Sequence, residues 1–115
     1  MKRKLISLAL AGTAVLGFSA CNAGAPHAEI AGIFGDRAGE ATAIAECESG
    51  LNPLARSAGG GNHGLFQINN VHDGTFTQVT GQPWSAVYDA HWNTVFAKYL
   101  FDQQGWSPWA CERVL

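Results

Sequence analysis

Basic side chains are scarce in this chain of 115 residues. Three of its seven Lys and Arg residues lie in the first 20 positions, so four remain in the other 95, beside nine Asp and Glu. A protein that binds duplex nucleic acid needs clustered Lys and Arg to neutralise the phosphates. The composition therefore argues against nucleic acid as a partner, and the length allows one domain.

The N-terminus has the build of an export signal. Residues 1–4 are mostly basic, and residues 5–20 form an uncharged run of 16 residues that ends in small side chains. Such a run is shorter than the roughly 20 apolar residues of a membrane helix. Residues 1–20 are therefore predicted to be a signal peptide. Residues 21–35, rich in Ala and Gly, are predicted to be a tether into a domain of residues 36–115.

The predicted signal ends in the sequence Phe18-Ser19-Ala20-Cys21. This sequence resembles the processing box of a bacterial lipoprotein, in which Cys21 would carry the lipid. Cleavage to a freely secreted chain, after Ala25 or Ala28, is the alternative. Both routes predict export, with the protein either free or anchored to the outer face of the membrane.

Only three cysteines occur, and Cys47 and Cys111 remain as a pair once Cys21 is lipidated or removed. In an oxidising compartment an even pair predicts a disulfide. The bridge would close most of the mature chain and contribute roughly 4 kcal/mol. A metal site needs several ligands at short spacing, so no metal or other cofactor is predicted. The remaining candidate ligands lie beside turns, where solvated side chains are usual: His63, His72 and Asp73.

A helix is predicted from a cap at Asp36 to Ser49, because Gly50 supplies a stop. Its apolar face ends in a carboxylate, Glu48, and otherwise consists of Ala41, Ile44 and Ala45. Apolar surroundings and the negative end of a helix dipole both disfavour ionisation of a carboxyl. Glu48 is therefore a candidate proton donor, whereas a Glu at a helix end is by default a solvated surface charge.

The rest of the chain predicts a small sheet and further helices. Alternation in residues 63–69 predicts a short strand, and the segment before the glycine-rich turn of residues 57–62 would pair with it as a hairpin. Helices are predicted over residues 73–79 and 90–104. The second has Asp89 as its cap and one apolar face: Trp92, Val95, Phe96, Tyr99 and Leu100. The domain is thus predicted to be α+β, with helix dominating.

Three short motifs follow one another in this order. They are the pair Glu48 and Ser49, residues 64–67 with the sequence Gly-Leu-Phe-Gln, and Asn93 in the last predicted helix. The order and spacing resemble the lytic transglycosylase branch of the lysozyme superfamily, in its short secreted, resuscitation-factor-like form, over residues 38–111. The resemblance implies a lysozyme-like fold and cleavage of peptidoglycan.

The resemblance also implies roles for single residues. Glu48 matches the family's catalytic acid. The other motif residues would position a peptidoglycan glycan strand, those of residues 64–66 through their backbone: Ser49, Gly64, Leu65, Phe66, Gln67 and Asn93. The alternative for Asn93 is a hydrogen bond to neighbouring backbone only. Trp106 and Trp109, beside Gly and Pro, are predicted to line the groove, unless they cover the disulfide. We expect the protein to act as a monomer.

One departure from the lysozymes bears on the reaction. Retaining glycosidases need two carboxylates about 5 Å apart, and where animal-type lysozymes carry the second, this chain has Asn62. The resemblance to transglycosylases implies that the 2-acetamido group of the substrate replaces that carboxylate. Glu48 would donate a proton and then deprotonate the muramoyl C6 hydroxyl, leaving a 1,6-anhydro end. A hydrolytic lysozyme and a non-catalytic peptidoglycan-binding module on the same fold are the alternatives.

Overall fold

The computed structural model describes residues 25–115, so the predicted signal peptide and the predicted lipid site at Cys21 lie outside the described residues. Helix dominates this range, and the prediction of a helix-rich α+β domain is confirmed. The α-helices are α1 (Pro26–Phe34), α2 (Ala38–Ser49), α3 (Asp73–Thr80) and α4 (Ala90–Gln104). The strands are β1 (Asn62–His63) and β2 (Ile68–Asn69), and short 3₁₀ helices span Gly35–Arg37, Asn70–His72, Trp84–Tyr88 and Ala110–Val114.

The tether prediction is wrong for residues 26–34, which form α1. Pro26 occupies the start of the helix, where its missing N–H costs nothing. Pro26, Ile30 and Phe34 are buried at four-residue intervals, and the Phe34 ring lies 5.5 Å from that of Trp106. On the other side, the carboxylate of Glu29 lies 2.8 Å from the His91 ring of α4. Residues 26–34 are therefore part of the core.

Helix α2 begins later than predicted and ends where predicted. A 3₁₀ helix precedes it, so Arg37 occupies the N-cap and Asp36 makes no side-chain cap. At the other end Gly50 takes a left-handed φ of 65°, and its N–H donates to the carbonyls of the last turn. Glu48 consequently lies in the last turn of α2.

Helix α4 confirms both of its predicted ends. The Asp89 carboxylate accepts from the backbone N–H groups of His91 and Trp92, at 2.9 and 3.2 Å. Gly105, with a φ of 63°, follows the last residue. The buried face is rotated from the predicted one, since Trp92 and Tyr99 are only partly buried. It consists of Ala90, Asn93, Thr94, Phe96, Ala97 and Leu100.

The strand predicted over residues 63–69 is a tight hairpin instead. β1 and β2 pair antiparallel, Asn62 with Asn69 and His63 with Ile68. Positive φ angles at Gly64 (79°) and Gln67 (52°) turn the chain between them. The segment expected to supply the partner strand contributes an isolated bridge from Arg56 to His63.

The predicted disulfide between Cys47 and Cys111 is confirmed. It joins the last turn of α2 to the C-terminal 3₁₀ helix, with the two Cα atoms 6.0 Å apart. Aromatic and aliphatic side chains from all four helices and the hairpin form one core. Within residues 25–115, none of the helices has the length and apolar character needed to span a bilayer.

Candidate active site

A cavity of about 270 Å³ opens where the end of α2, the hairpin, α4 and the C-terminal segment meet. One part of its wall is polar and the other largely apolar. Its lining residues are Glu48, Asn62, Gln67, Ile68, Asn69, His72, Leu100, Pro108, Trp109 and Ala110. The structure thus places the candidate acid in a cleft with side chains from four distant parts of the chain.

Glu48 is half-buried in this cavity. The backbone N–H of Cys111 donates to its Oε2 at 3.3 Å. Leu100 and Trp109 belong to the same lining and supply apolar surface. Within residues 25–115 no other group donates to this carboxyl, which leaves it available to a ligand in the cavity, as a proton donor requires.

Ser49, the second residue of the motif, supports the site and does not line the cavity. Its hydroxyl donates to the carbonyl oxygen of Leu65 at 2.7 Å. It also accepts from the backbone N–H of Asn52 at 3.3 Å. Ser49 therefore joins the end of α2 to the hairpin turn and fixes the distance between Glu48 and β2.

The turn residues Leu65 and Phe66 are fully buried and do not reach the cavity. Gly64, which precedes them, is needed for packing, since a Cβ there would collide with the Asn93 side chain and the Val87 carbonyl. These three predicted substrate contacts lie behind the cavity wall. Their backbone shapes the wall from inside the core.

Asn93, also predicted to contact substrate, is fully buried. Its Oδ1 accepts from the backbone N–H of Phe66 at 2.8 Å. Its Nδ2 donates to the carbonyls of His63 at 3.1 Å and Val87 at 2.8 Å. Both amide hydrogens and the amide oxygen of Asn93 are hydrogen-bonded within the protein. Asn93 therefore holds the hairpin turn on α4, and because it is fully buried it has no exposed atom for a ligand.

Gln67, predicted to contact substrate, lines the cavity. Its Nε2 donates to the carbonyls of Gly64 at 3.0 Å and Ala55 at 3.3 Å. Both amide hydrogens are thereby occupied, so the atom left for a ligand is the acceptor Oε1.

The two tryptophans of the C-terminal segment have different positions. Trp106, predicted to line the groove, is buried instead, because its ring packs 4.4 Å from that of Phe101 and its Nε1 donates to Glu40 at 2.8 Å. This hydrogen bond, together with one from Arg37, lowers the pKa of Glu40. Trp109 does line the cavity, and its Nε1 donates to the Phe66 carbonyl at 2.9 Å.

The polar wall contains residues to which the sequence analysis gave no binding role. Asn69 donates through Nδ2 to Oδ1 of Asn62 at 2.9 Å and accepts through Oδ1 from the N–H of Val71 at 2.9 Å. These bonds orient Asn62 so that its own Nδ2 is the donor left for the cavity. An Asn directly before a 3₁₀ turn, with its side chain accepting from the N–H two residues on, is a recognisable turn signal, and it could have indicated Asn69 and the neighbouring His72.

No group of three or more His, Cys, Asp and Glu side chains within residues 25–115 is close enough to hold a metal ion. His63 lies apart from the cavity lining and is buried, with Nδ1 2.6 Å from the Tyr88 hydroxyl. Burial, and after it the nearby Arg56 guanidinium, lowers the pKa of His63.

Comparison with known proteins identifies the family. No curated protein and no solved structure gives a significant match to the chain. The sequence profile of a family described as a lysozyme-like domain matches residues 25–111, which include α1, both halves of the disulfide and every residue of the cavity lining. The chain belongs to the lysozyme-like domain family.

Proposed function

We propose that the protein is a lytic transglycosylase that cleaves the β-1,4 bond between N-acetylmuramoyl and N-acetylglucosamine units of peptidoglycan. Membership in the lysozyme-like domain family supplies the coarser assignment, a glycosidase-type domain directed at peptidoglycan. The finer assignment, transglycosylation by Glu48, rests on the chemistry of the cavity wall.

The observation that carries the proposal is a single carboxylate in the cavity. Among the described residues that line it, Glu48 is the one acidic side chain, and the other polar side chains are three amides and a histidine. A retaining hydrolase needs a second carboxylate about 5 Å away to bond to or stabilise C1. With one carboxylate, the acetamido oxygen of the substrate is the group available for that task.

The reaction then has two steps with Glu48 in both. The Glu48 carboxyl protonates the glycosidic oxygen, the C1–O bond breaks, and the acetamido carbonyl oxygen bonds to C1. The Glu48 carboxylate next accepts the proton of the muramoyl C6 hydroxyl, O6 attacks C1, and the bond from the acetamido oxygen to C1 breaks. The product has a 1,6-anhydro end, no water is consumed, and Glu48 regains its proton.

The surroundings of Glu48 supply apolar surface and one hydrogen-bond donor. Leu100 and Trp109 line the same cavity as Glu48. The N–H of Cys111, 3.3 Å from Oε2, stabilises the carboxylate that forms in the first step. The acceptor Oε1 of Gln67 and the donor Nδ2 of Asn62 are positioned to hydrogen-bond a sugar with an amide substituent.

The test is digestion of purified peptidoglycan, with mass spectrometry of the released muropeptides. The unaltered protein should release 1,6-anhydro ends, and Glu48→Gln should reduce the rate by at least about 100-fold, the lower bound for loss of a general acid. The control is Glu46→Gln, an exposed carboxylate on the same helix, which should cleave normally.

Each other result identifies an alternative. Reducing ends in place of anhydro ends would indicate a hydrolytic lysozyme. Binding of peptidoglycan without cleavage would indicate a non-catalytic module. Full activity of Glu48→Gln would show that Glu48 is not the acid.

The proposed reaction also requires export, because peptidoglycan lies outside the cell membrane. The predicted signal peptide of residues 1–20 supports export, and Cys21 is proposed as its lipid anchor, with free secretion as the alternative. Fractionation of cells that produce Cys21→Ala distinguishes them, since loss of an anchor moves the protein from the membrane fraction into the medium.

A further inference from the structure

The cavity contains one side chain that can carry a positive charge, His72. The other polar residues of its described wall are Glu48 and the amides of Asn62, Gln67 and Asn69. The chain as a whole has a formal charge of −2 at pH 7. A carboxylate on a bound glycan would therefore have no cationic partner in the cavity other than a protonated His72.

Core packing holds the His72 ring in place. Its centroid lies 5.5 Å from that of Phe96, which is fully buried and packs at the same distance on Phe76. The preceding backbone is also fixed, because Asn69 Oδ1 accepts from the N–H of Val71 at 2.9 Å. Neither ring nitrogen of His72 is hydrogen-bonded to another described residue, so a ligand finds both nitrogens free on a ring that is already positioned.

Three titratable groups lie on the elements next to His72. Glu48 lines the same cavity, Asp73 follows it at the start of α3, and Tyr99 packs on Phe96 at 5.5 Å. None of the three is hydrogen-bonded to the His72 ring within the described part of the chain. A substrate carboxylate can therefore bind there without displacing a protein group.

We propose that His72 is a specificity residue that binds a carboxylate of the muramoyl unit, so that the cavity prefers carboxylate-bearing strands to neutral N-acetylglucosamine oligomers. The inference rests on the proposed function of this cavity. Histidine changes its charge between pH 5 and 8, and a hydrogen bond from a charged donor is roughly twice as strong as a neutral one. The preference is consequently larger at acidic pH. The carboxylate belongs either to the lactyl group of stem-free strands or to the peptide stem of intact strands.

Binding is measured by calorimetry with the Glu48→Gln protein, which lacks the proposed acid and with it the one carboxylate of the described cavity lining. The ligands are stem-free glycan strands, strands with peptide stems, and chitin oligosaccharides of equal length, each at pH 5.5 and pH 7.5. We expect about tenfold tighter binding of a carboxylate-bearing strand at the lower pH, the gain of one charge-assisted hydrogen bond. Chitin oligosaccharides should bind equally at both values. The strand type that shows the pH effect identifies which carboxylate is bound.

Two substitutions at His72 separate recognition from packing. His72→Gln keeps a hydrogen-bonding group without the charge, and His72→Phe keeps the ring on Phe96 without the nitrogens. Both should lose the pH effect on carboxylate-bearing strands and keep the affinity for chitin oligosaccharides. The control is His27→Gln, at an exposed histidine of α1 outside the cavity, which should leave the pH effect of the Glu48→Gln protein unchanged.

The His72 proposal is overturned if the pH effect on binding is absent in the Glu48→Gln protein. It is also overturned if the effect survives when His72→Gln and His72→Phe are each added to that protein. It fails independently of the proposed function, because binding is read without cleavage. A protein that cleaves peptidoglycan without this pH effect contradicts the His72 proposal alone. A protein with the His72-dependent preference that releases no anhydro ends contradicts the transglycosylase proposal alone.

Discussion

The backbone N–H of Cys111 donates to Oε2 of Glu48 at 3.3 Å, and Cys111 is covalently joined to Cys47, the residue before Glu48. The candidate acid is therefore held from two sides by the same bridge. The segment that the bridge fixes also supplies Pro108 and Trp109 to the cavity wall. Stability and site geometry depend on one covalent link.

The double variant Cys47→Ser/Cys111→Ser should lose both stability and the geometry of the candidate site. The bridge spans a sequence separation of 64, and closing a loop of that size contributes about 4 kcal/mol to the free energy of unfolding. Urea denaturation measures this loss. Among molecules that remain folded, the turnover of peptidoglycan should fall, because the donor to Glu48 is no longer fixed. Cys21→Ala, which removes a cysteine outside the pair, should change neither quantity, and wild-type turnover of the folded double variant would contradict the argument.

The sequence correctly predicted those parts of the fold that depend on a single residue or on composition. Asp89 has the short acceptor that an N-cap needs, and its carboxylate accepts from His91 and Trp92 as the motif requires. Gly50 takes the left-handed conformation that ends α2. Counting the cysteines sufficed for the disulfide. In each case the physical cause lies within a few residues or in composition.

The parts of the structure that the sequence did not predict depend on contacts between residues far apart in the chain. Ala and Gly in residues 26–34 suit a tether and a helix alike, and the burial of Ile30 and Phe34 selects the helix. Trp106 packs on Phe34 and Phe101 in the core and donates to Glu40, 66 residues away. Asn93 bonds to partners on the hairpin and before α4, so its inward direction follows from the assembled fold. No local pattern specifies these pairings.

Replacement of Asn93 by Ala should destabilise the protein strongly. The buried N–H of Phe66 and the carbonyls of His63 and Val87 would lose their partner, at a cost of about 1 to 3 kcal/mol for each group left unsatisfied. The expected loss in the free energy of unfolding is thus at least about 3 kcal/mol. Asn70→Ala, at an exposed position of the same region, should cost less than about 0.5 kcal/mol. A variant at Asn93 that is as stable as Asn70→Ala but binds strands poorly would return Asn93 to the role of a substrate contact.

A Gly64→Ala variant tests the close approach of the hairpin turn to α4. The substitution places a methyl group against Asn93 and the Val87 carbonyl, at a residue with a φ of +79°. Gly81→Ala isolates the backbone strain, because Gly81 has a φ of +72° and open space where its Cβ would lie. Strain alone should cost about 1 to 2 kcal/mol, so Gly64→Ala should lower the free energy of unfolding clearly more than Gly81→Ala. Equal losses in thermal or urea unfolding would mean that the clash is relieved by a shift of the turn.

Stability should fall in mildly acidic solution because of His63. This residue is 5 % exposed, and its pKa lies below the ordinary value through burial and the Arg56 guanidinium. Unfolded, it binds a proton below about pH 6.5, whereas the folded protein takes up that proton only at lower pH. Between the pKa of His63 in the unfolded chain and its lower pKa in the folded protein, the unfolded state therefore binds more protons. The free energy of unfolding consequently decreases as the pH drops below about 6.5, by at most about 1.4 kcal/mol per pH unit. Urea unfolding between pH 7.5 and 5 measures the slope. It should be shallower in His63→Phe and unchanged in His27→Gln, and equal slopes in all three proteins would exclude His63 as the cause.

The amide of Asn62 should determine which product the reaction releases. Asn62→Asp keeps the acceptor for Nδ2 of Asn69, 2.9 Å away, and adds a second carboxylate to the cavity that contains Glu48. A carboxylate that stabilises C1 competes with the acetamido oxygen and admits water as in a retaining glycosidase, so a share of the products should carry reducing ends. Asn70→Asp adds the same charge outside the cavity lining and should release anhydro ends alone. If mass spectrometry finds the same products from both variants, the amide at Asn62 does not determine the reaction, and the preference for transglycosylation must come from the way the substrate is held.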